Sequence, residues 1–407
     1  MFIYYDKSYH ANMTPQTCVS MKTLHLIVPF SVYRHNGQYF LPHNSHYIEL
    51  IKHFELKLYV KIKEVSSLDA SKLTALPPEI ECISFFSDLS LRDFVKKYYF
   101  YKTSLLSLPK DELYMVYYPF KINSIFLAWI LRRRKLSIWV RSDTNAVHLS
   151  KHMIFSEGFR KGMIRVLLNP LKSFIYSLIT RGIFKNNYIF YSGNIIFNVK
   201  NHRTQSEIIS CPKLNTDMAL VKKELTYNIA FVGNENPRKG LSVLLSALQQ
   251  SYLREKITLN IIGVETLKNK TNKTLANGLI IKFHGPVYER DAFYHKLAQN
   301  DIVVMPSFAE KQGKVQLEAM SVGAVAVCSD SGGTYCTVKN YYNGLLFTPG
   351  DSKELCHIIS LLYNDPLLYE SVRMNGAKYV SELSPEKQIW QMAKTIQNFY
   401  NSSIEYV

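Results

Sequence analysis

The 407-residue chain has no Asp-x-Asp pair anywhere along its length. That absence removes the common carboxylate handle for a divalent cation shared with a phosphate ligand. Its six cysteines, at 18, 82, 211, 328, 336 and 356, include no Cys-x-x-Cys and no histidine-paired spacing. A zinc site and a disulfide framework are both disfavoured, and reduced, buried thiols are expected instead. No apolar stretch reaches the ~18 residues needed to span a bilayer. The first 20 residues include Asp6, Lys7 and His10 and no apolar h-region, so no signal peptide is expected. Acidic residues are scarce in one region above all. Between Leu113 and Ser206 only two residues are acidic, Asp143 and Glu157, against fifteen Lys and Arg.

What is present points to a folded, two-domain protein. Hydrophobic content is 47%, with 28 Tyr and 22 Phe, which excludes disorder, and the length suits two domains of ordinary size. The net charge of +17 is unevenly placed: Tyr227–Ser384 holds sixteen basic against fourteen acidic residues. The basic N-terminal half is therefore expected to meet an anionic surface. No RNP, zinc-finger or helix-turn-helix pattern appears, so nucleic acid is not the expected partner.

The chemistry concentrates in Pro306–Met320, the segment PSFAEKQGKVQLEAM. A β-branched run, Asp301–Met305, precedes it and reads as a buried strand. Val315, Leu317, Ala319 and Met320 begin a helix that Gly323 ends, and Ala324–Cys328 reads as the next strand. Together they form a βαβ unit of a parallel sheet. Ligands sit at the carboxyl ends of such strands, which places Glu310 on the rim. Gly313 opens the helix, where free N–H groups attract anions. Two carboxylates beside an anion-binding helix start suit a ligand bearing both hydroxyls and phosphates, such as a nucleotide sugar. An ordinary α/β helix with two surface glutamates has the same spacing.

Glu310, seven residues and Glu318, with an inner glycine and a following Glu-Ala-Met, resemble the E-x7-E signature of the retaining glycosyltransferases of family 4, "group 1". The resemblance runs from about Asn228 to Asn398 and more faintly over the N-terminal half. It implies an α/β GT-B architecture: two Rossmann-like domains facing across a cleft, with a C-terminal helix crossing back to the first. The expected division is 1–210 for the acceptor- and membrane-facing domain, 211–385 for the donor domain and 386–407 for the returning helix.

In the N-terminal half, Thr23–Pro29 reads as the first parallel strand, followed by a loop through Arg34-His35-Asn36-Gly37 and a helix around 44–54. Where the family carries a glycine-rich donor loop, this chain has Asn36-Gly37, so Gly37 is an acceptor-side candidate, with a simple strand-to-helix turn as the other reading. Further strands are expected at Glu81–Phe86, Leu113–Tyr118, Ser137–Arg141 and Tyr188–Ser192, and helices at Leu91–Tyr101 and Ile122–Ile130. Ser142-Asp143 stands where the family often has His-Asp, so only Asp143 carries over. Residues 159–185 interleave apolar side chains with six cations, kinked at Pro170. A basic amphipathic pair of this kind lies in the headgroup layer of an anionic membrane, or packs on the sheet with its cations solvated. Asn198–Glu224 reads as the linker, with a short strand at Ile208–Cys211.

In the C-terminal half, Tyr227–Gly233 is a strand ending in glycine, and Asn234–Gly240 opens a helix at Leu241. Lys239-Gly240 matches the family's donor loop, while Asn234 stands in place of its usual arginine. Arg238 and Lys239 at a helix start are disfavoured by the macrodipole unless an anion lies between. The resemblance implies donor binding by Gly233, Asn234, Arg238, Lys239, Val287, Gly313, Lys314, Val315 and Glu318. It makes Glu310 and Lys239 the expected catalytic pair, Glu310 to orient the sugar and Lys239 to neutralise the leaving diphosphate, with Glu318 to take the ribose. The resemblance also implies that the donor phosphate accepts the acceptor's proton. His284 at a strand end reads as structural.

The expectation is thus a metal-independent transfer, without cofactor, from a UDP-sugar to a hydroxyl of a saccharide or lipid-linked saccharide in surface polysaccharide synthesis. The place expected is cytoplasmic, peripheral on the inner membrane face. A nucleotide-sugar epimerase on the same fold and a non-catalytic partner subunit are the rival readings. Asn234, Gln312 and Ser142, all departures from the family pattern, feed the latter.

Overall fold

The computed structural model describes residues 22–42, 50–67, 73–84, 99, 102–104, 106–109, 112–118, 136–140, 187–191, 205–207, 224–252, 256–265, 272–275, 278–310, 312–331 and 333–401. Two mostly parallel sheets carry them. The first contains β1 (Thr23–His35), β2 (Gln38–Pro42), β3 (Glu55–Glu64), β4 (Leu73–Ala75), β5 (Glu81–Ser84), β6 (Leu113–Tyr118), β7 (Leu136–Val140), β8 (Tyr188–Tyr191) and β9 (Gln205–Glu207). Its parallel body runs β5-β3-β1-β6-β7-β8-β9.

β1 is longer than the sequence suggests. Its register against β3 shifts between Ile27 and Ser31, around Pro29, which has no N–H to give the ladder. Beyond the shift it continues to His35 and turns back into antiparallel β2. Asn36 (φ 48) and Gly37 (φ 81) make that turn, as Asn-Gly does in two-residue hairpins where both central residues need positive φ. The expected strand-to-helix donor loop at Gly37 is therefore a hairpin. Of the helix expected around 44–54, residues 44–49 lie outside the described residues; 50–52 form one 3-10 turn, and 55 begins β3. Alternating Leu56, Leu58 and Val60 are buried there, as is Tyr59, while Lys57 and Lys61 are partly exposed.

Asp143, the stretch 159–185, the Ile122–Ile130 helix and the strand at Ile208–Cys211 lie outside the described residues, as does the Leu91–Tyr101 helix apart from Tyr99.

The second sheet has seven strands in the order β12-β13-β11-β10-β14-β15-β16. These are β10 (Asn228–Val232), β11 (Thr258–Ile262), β12 (Lys273–Thr274), β13 (Ile280–Gly285), β14 (Ile302–Met305), β15 (Val325–Ser329) and β16 (Leu345–Phe347). All pairings are parallel except β12 with β13. β14 and β15 are buried along their whole length, as the unbroken apolar runs require of strands covered on both faces.

Helices α1 (Leu241–Gln250), α4 (Ser352–Asn364) and the start of α5 (Pro366–Ser381) cover one face. α2 (Arg290–Ala298) and α3 (Val315–Ser321) cover the other. The chain leaves β10 in one direction through β11 and β13, and in the other through β14, β15 and β16. The topological switch point therefore lies between β10 and β14.

The last helix, α6 (Pro385–Asn401), leaves the second sheet and packs on the first. Ile389, Met392, Ala393 and Ile396 form its buried stripe, against Leu24, Leu26, Met115 and Phe190. Tyr188 and Phe399 rings lie 5.5 Å apart, and Lys22 Nζ donates to Asn401 Oδ1 at 3.0 Å. The helix thus ties the two halves together. Among the described residues no helix is long and apolar enough to cross a membrane.

Candidate functional site

Parallel strands send all their carboxyl ends to one rim. On that rim, at the switch point, the segment after β10 meets the segment after β14. The first segment is short and internally braced. Asn234 Oδ1 accepts the Asn236 amide at 3.3 Å, and Asn236 Oδ1 accepts the Arg238 amide at 2.9 Å. Pro237–Lys239 is a single 3-10 turn closed by Gly240 at φ 70, which then caps α1. A Cβ at Gly240 would lie 1.9 Å from the carbonyl oxygen of Pro306. Only glycine lets the first segment approach the second this closely. The Lys-Gly pair read from the sequence has that packing reason besides any chemical one.

The contact delivers side chains. Lys239 Nζ donates to Glu310 Oε2 at 2.8 Å, with the two side chains 24% and 19% exposed. Arg238 NH1 lies 3.6 Å from the same oxygen and donates to the Ala309 carbonyl. Ser307 Oγ donates to Glu310 Oε2 at 3.4 Å. Ser329, fully buried at the end of β15, donates to the Ser307 carbonyl, and Thr334 Oγ1 donates to the Ser329 carbonyl at 2.9 Å. Glu310 is thus met from both sides of the switch point, by two cations and by a hydroxyl resting on a buried base. Sequence reasoning missed Ser307. Its position directly after the strand, three residues before Glu310, was the available signal.

α3 follows. Gly313, at φ 76, and Lys314 lead into it, and the first-turn amides of Val315 and Gln316 have no intrahelical acceptor. Gln316 is buried and spans to Thr337 Oγ1 at 2.9 Å. Glu318 lies one turn into the helix. Burial raises its carboxyl pKa, while Lys314 and Arg290 pull it back down. Arg290, from the start of α2, is a second residue the sequence reading did not bring to the site. Val287, in the loop after β13, and Val315 pack against the same apolar cluster.

Gly233, Arg238, Lys239, Glu310, Gly313, Lys314, Val315 and Glu318 therefore belong to two adjoining segments of one rim. Asn234 is there too, with its side chain engaged in the loop's own turn. Gly37 belongs to the first sheet.

Two other titratable groups in this half are structural. The His284 pKa is lowered by burial and by nearby Lys296 and Lys282. Its Nδ1 accepts from Lys296 Nζ at 3.1 Å, and Nε2–H donates to Asn260 Oδ1 at 2.9 Å. Asp301 sits at the opposite, amino end of β14, accepting from the Thr226 and Asn228 amides and from the Tyr363 hydroxyl. Its pKa is raised by burial, against those hydrogen bonds. It fastens the entering chain to the sheet.

Comparison with known proteins agrees with this geometry. Residues 215–379 match the family described as Glycosyl transferases group 1. Granule-bound starch synthase 1 of Pisum sativum is 32% identical over 134 residues, which cover 30% of this chain and 21% of that protein. The capsular polysaccharide biosynthesis glycosyltransferase CapM of Staphylococcus aureus is 24% identical over 180 residues, 42% of this chain and 46% of that one. The chain thus spans less than half the length of either relative. Among solved structures, Anabaena HepE in complex with UDP superposes with a TM-score of 0.59 at 16% identity, covering 93% of this chain and 100% of that one. That likeness is one of fold. The matched segment contains both the Lys239 loop and the Glu310–Glu318 unit, and the two sheets with the returning helix have the GT-B fold.

Proposed function

We propose that the protein is a retaining, metal-independent glycosyltransferase. It moves a sugar from a nucleotide-diphosphate donor, a UDP-sugar, to a hydroxyl of a lipid-linked saccharide in surface polysaccharide synthesis. The observation that carries this reading is the meeting of Lys239 and Glu310 at the switch point of the second sheet, 2.8 Å apart. A carboxylate there accepts hydrogen bonds from sugar hydroxyls, and an adjacent ammonium faces the linked phosphates. Lys239, with the amides that follow Gly313-Lys314, stabilises the charge that develops on the leaving diphosphate. Glu318 accepts from the ribose hydroxyls, and Val287 lines the base. Without an Asp-x-Asp pair, cations and helix amides take the part a metal plays elsewhere.

The arrangement differs from a glycosidase, whose two carboxylates flank the scissile bond as acid and nucleophile or base. Here Glu310 is matched with cations on one side of the leaving group. The capsular relative supports a role in polysaccharide biosynthesis, and the UDP complex of a protein of the same fold supports the nucleotide. Asp143 is assigned to the acceptor side. The basic stretch 159–185 docks the first domain on the anionic inner face of the cytoplasmic membrane.

The test is calorimetric binding of UDP, then UDP release from a panel of UDP-sugars with saccharide acceptors, with the product's anomeric configuration read by NMR. Retention and an unchanged rate in EDTA are expected. Inversion, strict metal dependence, sugar epimerisation without acceptor, or UDP binding without any turnover would each overturn the reading.

A further inference from the structure

The two segments at the switch point are joined by more than the Lys239 ion pair. The Arg238 carbonyl accepts the Phe308 amide at 2.8 Å. Its guanidinium NH1 donates to the Ala309 carbonyl. The same NH1 lies 3.6 Å from Glu310 Oε2. Three successive residues of the Glu310 segment are therefore held by one residue of the opposite loop. Arg238 is itself fixed, because Asn236 Oδ1 accepts its amide at 2.9 Å. Between Gly233 and Gly240 it is the one arginine in the sequence. The sequence reading gave that guanidinium to the donor phosphates. The structure aims it at the Glu310 segment.

We infer that Arg238 is a positioning residue: it holds the Glu310 segment against the donor loop so that the Glu310 carboxylate stays registered with Lys239. The inference rests on the transferase reading above for its kinetic consequence. A planar guanidinium fixes a carbonyl and a carboxylate at once, with N–H directions that do not rotate independently. A lysine at 238 supplies the charge without the fork. An aliphatic residue supplies neither, and leaves the Ala309 carbonyl to water.

The experiment compares the full chain with Arg238→Ala, Arg238→Lys, Glu310→Gln and the Arg238→Ala/Glu310→Gln double variant. UDP affinity is read by calorimetry and turnover by UDP release from UDP-sugars. Both Arg238 variants are expected to lose about tenfold or more in kcat while UDP affinity stays within about threefold. The double variant is expected to be no more than about twofold worse than Glu310→Gln alone, because Arg238 acts through Glu310. UDP affinity that falls tenfold in Arg238→Ala and returns in Arg238→Lys would overturn the inference and make Arg238 a phosphate ligand. Parallel loss of affinity, kcat and melting temperature would reduce it to loop stability.

A parent protein that neither binds UDP nor releases it from UDP-sugars defeats the transferase reading instead. The tether is then judged without substrate, from melting of Arg238→Ala, Glu310→Ala and their double variant. Non-additive losses support it, and additive ones overturn it.

Discussion

Lys239 Nζ sits 2.8 Å from Glu310 Oε2, across 71 residues of sequence. Neither side chain is fully buried, so the pair is not there chiefly for stability. With the side chains 24% and 19% exposed, desolvation offsets much of the pair's Coulombic attraction. Its significance is that the two groups proposed for the two halves of a nucleotide sugar are already matched in charge and place before a ligand arrives. On the proposed function, donor entry would exchange a carboxylate partner for a phosphate partner at Lys239 and free Glu310 oxygens for sugar hydroxyls.

Lys239→Ala should therefore cost turnover more than folding. The ammonium's contact with the leaving phosphate strengthens as that group gains charge. A fall in kcat/KM of at least tenfold, about 1.4 kcal/mol, is expected, measured by UDP release, with the melting temperature nearly unchanged. Wild-type kinetics in this variant would remove the donor loop from the mechanism.

Gly240→Ala tests the approach that makes the pair possible. The new methyl would fall 1.9 Å from the Pro306 carbonyl oxygen, at a backbone φ of 70 that alanine disfavours. The carbonyl is strand-end backbone and cannot swing aside as a side chain tip does. A loss of at least about 2 kcal/mol in denaturant unfolding is expected, together with weakened UDP binding. A variant as stable as the parent would mean that the two segments separate freely, and that their contact does not organise the site.

How much of this was legible in the sequence differs between the halves for physical reasons. Strands buried on both faces, such as Ile302–Met305 and Val325–Ser329, must be unbroken apolar runs, and they read directly. Lys239-Gly240 and Glu310–Glu318 are local patterns, so they read as well. β3 was missed because its signal is alternation, Leu56, Leu58 and Val60 among lysines, rather than a run. The Asn36-Gly37 hairpin carried its own sequence signal, but the family resemblance pulled the reading toward a donor loop. The Arg238 contacts were not legible at all. They depend on two segments made neighbours by the parallel pairing of β10 with β14, which no local spacing records.

The membrane prediction rests on sequence. Phe159–Lys185 interleaves six cations, and no acid, with apolar residues. Attraction to anionic lipid should weaken as the Debye length shrinks from ~10 Å at 0.1 M salt to ~3 Å at 1 M. Replacing Arg160, Lys161 and Arg165 with glutamine should lower co-sedimentation with anionic vesicles while leaving UDP affinity intact, because the donor site is in the other domain. Equal binding to anionic and zwitterionic vesicles would assign the stretch to core packing.

Glu318 gives a pH signature with a definite sign. Burial raises its carboxyl pKa above the ordinary value of 4.5, partly offset by Lys314 and Arg290. A raised acid is most compatible with the fold when protonated. Its favourable contribution is fully present below the unfolded pKa and is lost as pH rises through the folded one. Glu318→Gln keeps the shape without that charge. The melting temperature of the variant minus that of the parent should therefore be larger at pH 7 than at pH 4. UDP affinity should behave oppositely in the parent, rising with pH over the same range, because ribose hydroxyls donate to a carboxylate better than to a carboxylic acid. The terminal phosphate of UDP titrates as well, but alike in both proteins, so the difference between their profiles isolates Glu318. A pH-independent difference in melting would mean that folding leaves the Glu318 pKa unshifted, and a pH-independent difference in affinity would leave its carboxylate without a role in donor binding.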